Sequence, residues 1–200
     1  VWCAAYGYTL EKVAYKPLRT APRLSPLISA IGMSIFLQNY VLLAQTSDFV
    51  PFPNLLPEMD FLEHIGYVMG PSDFLILLVS TIAMVSLSLF IRYTRMGKAM
   101  RATSQNRKMA LLLGINADRI ISLTFIVGSS LAALGGVLIA SHMGQVNFGI
   151  GFLAGLKAFT AAVLGGIGSI PGAMLGGLVL GLAESFTTGY FSGNYEDILA

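Results

Sequence analysis

The chain of 200 residues is strongly apolar: 55% of its residues are hydrophobic, 11% are charged and its mean hydropathy is +0.74. Soluble domains carry about 25% charged residues, so this composition argues against a water-soluble domain and indicates a membrane protein. A net charge of +2 is too small to predict a nucleic-acid partner, the single Cys3 excludes an intrachain disulfide, and His64 and His142 lack ligand-like spacing, so we expect no metal site.

The two ends of the chain predict incomplete helices. Residues 1–8 are apolar, but neither an initiator methionine nor a charged segment precedes them, so they do not fit a signal peptide. They are typical of the last turns of a helix, and residues 198–200 after Asp197 are typical of the start of another. We therefore expect residues 1–200 to form a single membrane domain that lacks its N-terminal helices and its last helix.

Three uncharged segments are long enough to cross a bilayer, which requires about 20 mostly apolar residues. They comprise residues 24–45, 74–91 and 120–141. A fourth apolar stretch, residues 149–191, has room for two spans but is interrupted by glycines and a proline at residues 165–172. Two full crossings and a re-entrant hairpin both fit this interruption. The predicted fold is all-α, a polytopic transmembrane helical bundle.

The loop charges predict how these spans are oriented. Residues 11–23 hold four of the twelve basic residues and residues 92–119 hold seven, whereas residues 46–73 hold no Lys or Arg and five acidic residues. Short loops rich in Lys and Arg stay in the cytoplasm. We therefore place residues 11–23 and 92–119 inside and residues 46–73 outside.

The larger cytoplasmic segment predicts a helix that another protein could push. Residues 97–116 combine good helix formers with Gly114, which is placed to end the helix. Ala102, Asn106 and Ala110 recur every fourth residue and would form one face of small residues. Such a face suits insertion into a groove of a partner protein. The alternative is a surface helix that its basic residues hold against lipid headgroups.

Small residues recur at helical spacing in the last apolar stretch. This spacing lets helix backbones approach closely in lipid, so we predict a helix-packing surface there. A glycine-lined translocation path is the alternative interpretation. The residues concerned are Gly168, Gly172, Gly176, Gly177 and Gly181.

Lys157 and Glu184 are the ionisable residues within the same apolar stretch. A charge at the centre of a bilayer costs at least about 2.5 to 3.5 kcal/mol on insertion scales, so such side chains usually face a partner, a cavity or an interface. One interpretation is that both residues border a translocation path. A position near a helix end, from which the side chain reaches the interface, is the alternative.

Several motifs together resemble the permease subunits of branched-chain amino acid ABC transporters, the LivH type. The matching runs are residues 15–19, 31–39, 94–102, 108–116, 155–166 and 168–173. The resemblance implies a bundle of the ABC importer permease type in the inner membrane, surrounded by lipid. It also implies a second permease subunit, two cytoplasmic ATPases and a periplasmic binding protein as partners, with residues 92–119 as the coupling segment.

By this resemblance, a docking helix would contact an ATPase. The residues assigned to this contact are Ala102, Asn106, Ala110, Leu111, Gly114 and Ile115. The chain contains no GxxxxGK[ST] phosphate-binding loop, so we expect it to be a transport subunit without enzymatic activity or cofactor, with ATP bound to the partner subunits.

The resemblance implies import of leucine, isoleucine and valine. Permeases for urea or short amides in the same family remain an alternative, and the second permease subunit could be identical or different. Two further classes fit less well. An ion-coupled secondary transporter would use Lys157 and Glu184 as coupling charges but leaves the basic segment unexplained, and a passive channel would need a polar filter that the sequence does not show.

Overall fold

The structure, a computed structural model, describes residues 1–20, 25–45, 48–53 and 71–190. Most of the predicted outward loop, including His64, and the predicted helix start after Asp197 lie outside the described residues. The chain forms two compact units, Val1–Phe148 and Gly149–Ala200.

The first unit is helical apart from one pair of short strands. Its elements are α1 (Trp2–Leu10), a π-helical turn (Glu11–Tyr15), a 3-10 turn (Pro17–Thr20), α2 (Ser25–Ala44), β1 (Val50–Pro51), α3 (Pro71–Tyr93), α4 (Arg95–Gln105), α5 (Arg107–Leu112), α6 (Ala117–Met143) and β2 (Gln145–Val146). The second unit contains α7 (Ile150–Leu164) and α8 (Ile170–Tyr190).

The three uncharged segments form α2, α3 and α6, which confirms the predicted all-α membrane fold. Among the described residues, three helical stretches are long and apolar enough to cross a bilayer: Asp73–Tyr93, Ala117–Met143 and Ile170–Thr187. α6 is longer than predicted at both ends. It begins at Ala117 because the Asn116 side chain caps it, and it ends where Gly144 takes a φ of +66°.

Small residues fill the contacts between helices. Most of the buried apolar residues in the described part of the chain are alanines: Ala14, Ala110, Ala117, Ala140 and Ala161, beside Ile120 and Leu180. α1 packs along α6 at Gly7, where an added methyl group would overlap the Ser129 side chain. Large apolar side chains such as Phe36, Ile82 and Leu182 lie exposed on the outside. This distribution fits helices that associate through close contacts while lipid covers the rest.

α3 and α6 are joined at the end opposite to the basic segment. His142 Nδ1 near the end of α6 lies 3.3 Å from Asp73 Oδ1 near the start of α3. At the same end of α6, β2 pairs antiparallel with β1, and Phe52 donates a backbone hydrogen bond to Gly144. The two helices therefore run in opposite directions, as the predicted orientation requires.

The second unit is a tight helical hairpin. α7 has 15 residues and is therefore about 22 Å long, shorter than a hydrocarbon core of about 30 Å, whereas the 21 residues of α8 match it. In the turn between them, Gly166 and Gly168 have φ values of +88° and +101°. Residues other than glycine rarely adopt such backbone angles, so the glycines that interrupt this apolar stretch make the hairpin turn possible.

Candidate functional site

The basic segment leaves α3 through a sharp bend. Thr94 caps α4, since its Oγ1 accepts a hydrogen bond from the Gly97 backbone N–H at 3.0 Å. A methyl group on Gly97 would overlap the backbone of Ile91, so only glycine fits at this position. α4 then lies against α3 and α6. The bend therefore holds α4 against the ends of two membrane helices.

The prediction of one continuous helix through residues 97–113 is wrong. α4 ends at Gln105, and Asn106 has extended backbone angles, φ −153° and ψ 101°. Its Oδ1 accepts a hydrogen bond from the Met109 N–H at 3.1 Å and starts α5. An asparagine side chain satisfies a free backbone N–H at a helix start, so the sequence breaks the helix where helix propensity alone predicts continuity.

Consequently, Ala102, Asn106 and Ala110 do not lie on one continuous helical face. The break at Asn106 interrupts the helical spacing on which that face depended. Ala110 is 1% exposed and lies inside the chain's own fold, while Ala102 is half-buried. Small residues here make contacts within the subunit.

Gly114 ends α5, as predicted. It adopts a φ of +79°, and the N–H groups of Gly114 and Ile115 donate to the carbonyls of Leu111 and Ala110 at 3.0 Å each. These two bonds are the Schellman pattern that closes a helix end and satisfies its free carbonyls. Leu111, Gly114 and Ile115 line a groove of about 410 Å³, and its other lining residues are Arg107, Asn116 and Asp118.

Beside this groove lies an exposed apolar surface that the sequence interpretation did not single out. It consists of Met109, Leu112 and Leu113, and we call it the α5 patch. Leu112 is 82% exposed and Leu113 is 77% exposed, although the surrounding segment is basic and polar. The run of three leucines within a charged segment is the signal that could have revealed it.

An ion pair ties α5 to the start of α6. Arg107 Nη2 lies 2.9 Å from Asp118 Oδ1, with 41% and 54% of the two side chains exposed. The Asn116 Oδ1 accepts from the Arg119 N–H at 3.2 Å and caps α6. The ion pair and the short capped connection therefore join α5 to the first turn of α6.

In the hairpin, the predicted packing glycines have different surroundings. A methyl group on Gly172 would overlap the Gly165 carbonyl, and one on Gly176 would overlap the Ala161 carbonyl. A methyl group on Gly177 would make ordinary contact with the Ala161 Cβ at 3.8 Å. No described atom lies within 4 Å of a methyl group placed on Gly181, and Gly168 belongs to the turn. The closest α7–α8 contacts are therefore at Gly172 and Gly176.

The structure brings Lys157 and Glu184 together. Lys157 Nζ on α7 lies 3.2 Å from Glu184 Oε1 on α8, with 28% and 15% of the side chains exposed. Opposite charges at this distance attract each other strongly where water is scarce. Each residue therefore has a partner within the hairpin, and the two predicted path residues form one site.

A second buried acidic residue was missed by the sequence interpretation, which placed it in a cytoplasmic loop. Glu11, in the π-helical turn, is fully buried, and the Ser122 hydroxyl of α6 donates to its Oε2 at 2.7 Å. In the same turn Tyr15 packs on Phe125 with ring centroids 4.8 Å apart, and burial raises the pKa of its phenol. No local signal marks Glu11, because its partner lies 111 positions away.

Residues 2–200 match the family model described as the branched-chain amino acid transport system permease component. The chain belongs to this family. No solved structure matches it significantly.

Two relatives are named as permeases for branched-chain amino acids. The permease protein LivH of the high-affinity branched-chain amino acid transport system of Escherichia coli K12 is 51% identical over all of this chain. BraD of the corresponding Pseudomonas aeruginosa system is 54% identical over 98% of it. The chain spans 66% of the length of LivH and 65% of that of BraD.

A more distant relative carries a name for another substrate. LsrC, the autoinducer 2 import system permease protein of Yersinia enterocolitica, is 34% identical over 60% of this chain and 34% of its own length. Similarity at this level therefore extends beyond permeases named for branched-chain amino acids.

Proposed function

We propose that this chain is a transmembrane permease subunit of an ATP-driven ABC importer for leucine, isoleucine and valine. Identities of 51% and 54% with LivH and BraD support this substrate class, because both relatives are named for it. The chain itself carries no catalysis in this proposal. ATP binds to the partner subunits, and the chain converts their movement into a change of the side on which the translocation path is open.

The proposed setting is the inner membrane, where several helices cross the lipid bilayer. The partners are a second permease subunit, two cytoplasmic ATPases and a periplasmic substrate-binding protein. The apolar outer surfaces of α2, α3 and α8 support a lipid environment, and the basic charge of residues 92–119 supports a cytoplasmic position for α4 and α5.

The observation that carries the proposal is the α5 patch. This apolar surface lies on a short helix within a basic segment, and its exposure to water is unfavourable. Contact with a protein partner would cover it and remove this unfavourable exposure. We place the ATPase contact at this patch and at the neighbouring groove of Leu111, Gly114 and Ile115. The predicted contacts of Ala102, Asn106 and Ala110 are replaced by this surface, since Asn106 serves as a cap and Ala110 is buried.

We further propose that Lys157 and Glu184 border the translocation path. Ionisable groups inside apolar helices commonly mark such paths, and this pair lies on two helices whose backbones touch. A cycle that separates α7 from α8 would expose both charges to the path. Closure of the hairpin would pair them again.

The docking proposal is tested with Leu112→Asp in cells that supply the other subunits. A charge on this exposed side chain should abolish co-purification of the ATPases and lower uptake of radiolabelled leucine at least tenfold. The chain should keep its thermal stability, because the substituted side chain makes few contacts within it. Ser104→Asp is the matched control, since it adds the same charge to an exposed position of α4.

The outcomes separate the competing interpretations. Wild-type ATPase binding and leucine uptake by Leu112→Asp would show that the α5 patch is not the contact. Uptake by the wild-type chain without any ATPase would instead support ion-coupled transport with Lys157 and Glu184. Competition of leucine uptake by unlabelled valine and isoleucine, but not by urea or acetamide, is the expected substrate pattern.

A further inference from the structure

The contact between the π-helical turn and α6 lies next to the Arg107–Asp118 ion pair that joins α5 to α6. Glu11 and Tyr15 of the turn meet Ser122 and Phe125 of α6. Gly7 of α1 meets Ser129 one turn further along the same face of α6. These contacts lie along one face of α6, from its second turn onward.

The Glu11–Ser122 hydrogen bond is a polar part of this contact. Glu11 is fully buried and Ser122 is 7% exposed, so the bond is largely shielded from water. The Ser122 Oγ also lies 3.1 Å from the carbonyl oxygen of Asp118, whose side chain pairs with Arg107 of α5. A continuous series of polar contacts thus leads from α5 through the first turn of α6 to the end of α1.

The local backbone favours a role in movement over simple packing. The N–H of Lys16 donates to the carbonyl of Glu11 at 2.8 Å, the wider spacing of a π-helical turn. Such turns are uncommon and often lie at functional sites. Here the wide turn places Glu11 and Tyr15 against α6 together.

We propose that Glu11 and Ser122 form a positioning pair that transmits movement of the coupling segment to α1. This inference rests on the proposed function, because it presupposes that ATPases move α5. The pair touches neither substrate nor nucleotide. Its role is to make α1 follow α6, so that ATP hydrolysis and opening of the path stay linked.

The test measures the number of leucine molecules imported per ATP hydrolysed. The complete complex is reconstituted in proteoliposomes with its binding protein and radiolabelled leucine. Ser122→Ala removes the donor and should lower this ratio at least fivefold, while the ATPases still co-purify in wild-type amounts. If the pair has only a structural role, Ser122→Ala should change the yield or stability of the complex. Assembled complexes should then still import the wild-type number of leucine molecules per ATP hydrolysed.

Two variants of related chemistry serve as controls. Ser130→Ala removes a serine of the same helix whose Oγ bonds to the Ile126 carbonyl at 2.8 Å, and it should keep the wild-type ratio. Glu11→Gln retains an acceptor oxygen for Ser122 and should stay within twofold of wild type. If Glu11→Gln lowers the leucine-to-ATP ratio as much as Ser122→Ala does, the hydrogen bond is not the link.

The proposal remains testable if Ser122→Ala does not assemble. In that case Ser122→Cys takes its place, since a thiol fills similar space but donates weakly, and a lowered ratio is again expected. An unchanged ratio in an assembled variant, or failure of both variants to assemble, overturns the positioning role. Absence of ATPase binding or leucine uptake with the wild-type chain would instead refute the proposed function itself.

Discussion

The coupling segment and the α7–α8 hairpin position neighbouring helices in different ways. In the coupling segment, side chains of Thr94, Asn106 and Asn116 cap successive helix starts. In the hairpin, glycines bring backbone against backbone at Gly172 and Gly176. In the polar coupling segment, side-chain caps determine where the helices begin. In the apolar hairpin, glycines without side chains determine where the two helices touch.

The two ion pairs show the same difference. Arg107 and Asp118 are about half exposed, so their pairing contributes only about 0.2 to 1 kcal/mol. Lys157 and Glu184 are mostly covered, so either charge without the other would cost far more. Loss of one partner should therefore be tolerated in the coupling segment and harmful in the hairpin.

The largest effect is expected from Gly176→Leu. Its side chain would meet the Ala161 carbonyl and force α7 from α8, which should cost about 3 kcal/mol or more in the free energy of unfolding. Thermal melting of the purified chain measures this loss. Gly181→Leu, one turn and a residue further along α8, has open space around its Cβ and should melt at or above the wild-type temperature. Equal melting of both variants would contradict the close contact.

A smaller loss is expected from Lys157→Leu. It leaves the mostly buried Glu184 carboxylate without its cation and should lower the unfolding free energy by about 2 to 3 kcal/mol, less than for a fully buried pair. The double variant Lys157→Leu/Glu184→Leu should recover most of this stability while leucine uptake stays low. Full uptake by the stable double variant would remove the pair from the path.

Arg107→Gln is the matched control for the hairpin pair. It breaks the exposed ion pair with Asp118 and should change stability by no more than about 1 kcal/mol. A loss as large as that of Lys157→Leu would show that exposure does not explain the difference between the two pairs.

An effect of similar size is expected from Asn106→Ala. Removal of the cap leaves the Met109 N–H without its acceptor and should cost about 1 kcal/mol, confined to α5. Hydrogen exchange should therefore accelerate at Met109 and its neighbours but not in α6. Asn106→Asp keeps a capping oxygen and should retain wild-type protection. Unchanged exchange in Asn106→Ala would argue for a helix that continues through residue 106.

The site was only partly predictable from the sequence. Gly114 as a helix stop could be predicted, because a positive φ is a property of one residue and its immediate neighbours. The break at Asn106 had a local signal as well, but the strong helix formers on both sides argued for continuity. The exposure of Leu112 and Leu113 depends on which face of α5 the rest of the chain covers, and spacing along six residues does not determine that.

The sequence by itself determined that this chain is a membrane-embedded helical protein, where its long helices lie, and which segment carries the basic charge. These properties follow from runs of apolar residues and from the charges between them, which act over one helix at a time. Only the tertiary structure decided that Glu11 is buried against Ser122, that Lys157 pairs with Glu184, and which glycines touch a neighbouring backbone. The Glu11–Ser122 bond joins residues 111 positions apart, and the Lys157–Glu184 pair depends on how α7 packs on α8. The spacing of the glycines predicted a packing surface, but only the packed helices show which glycines make the closest contacts.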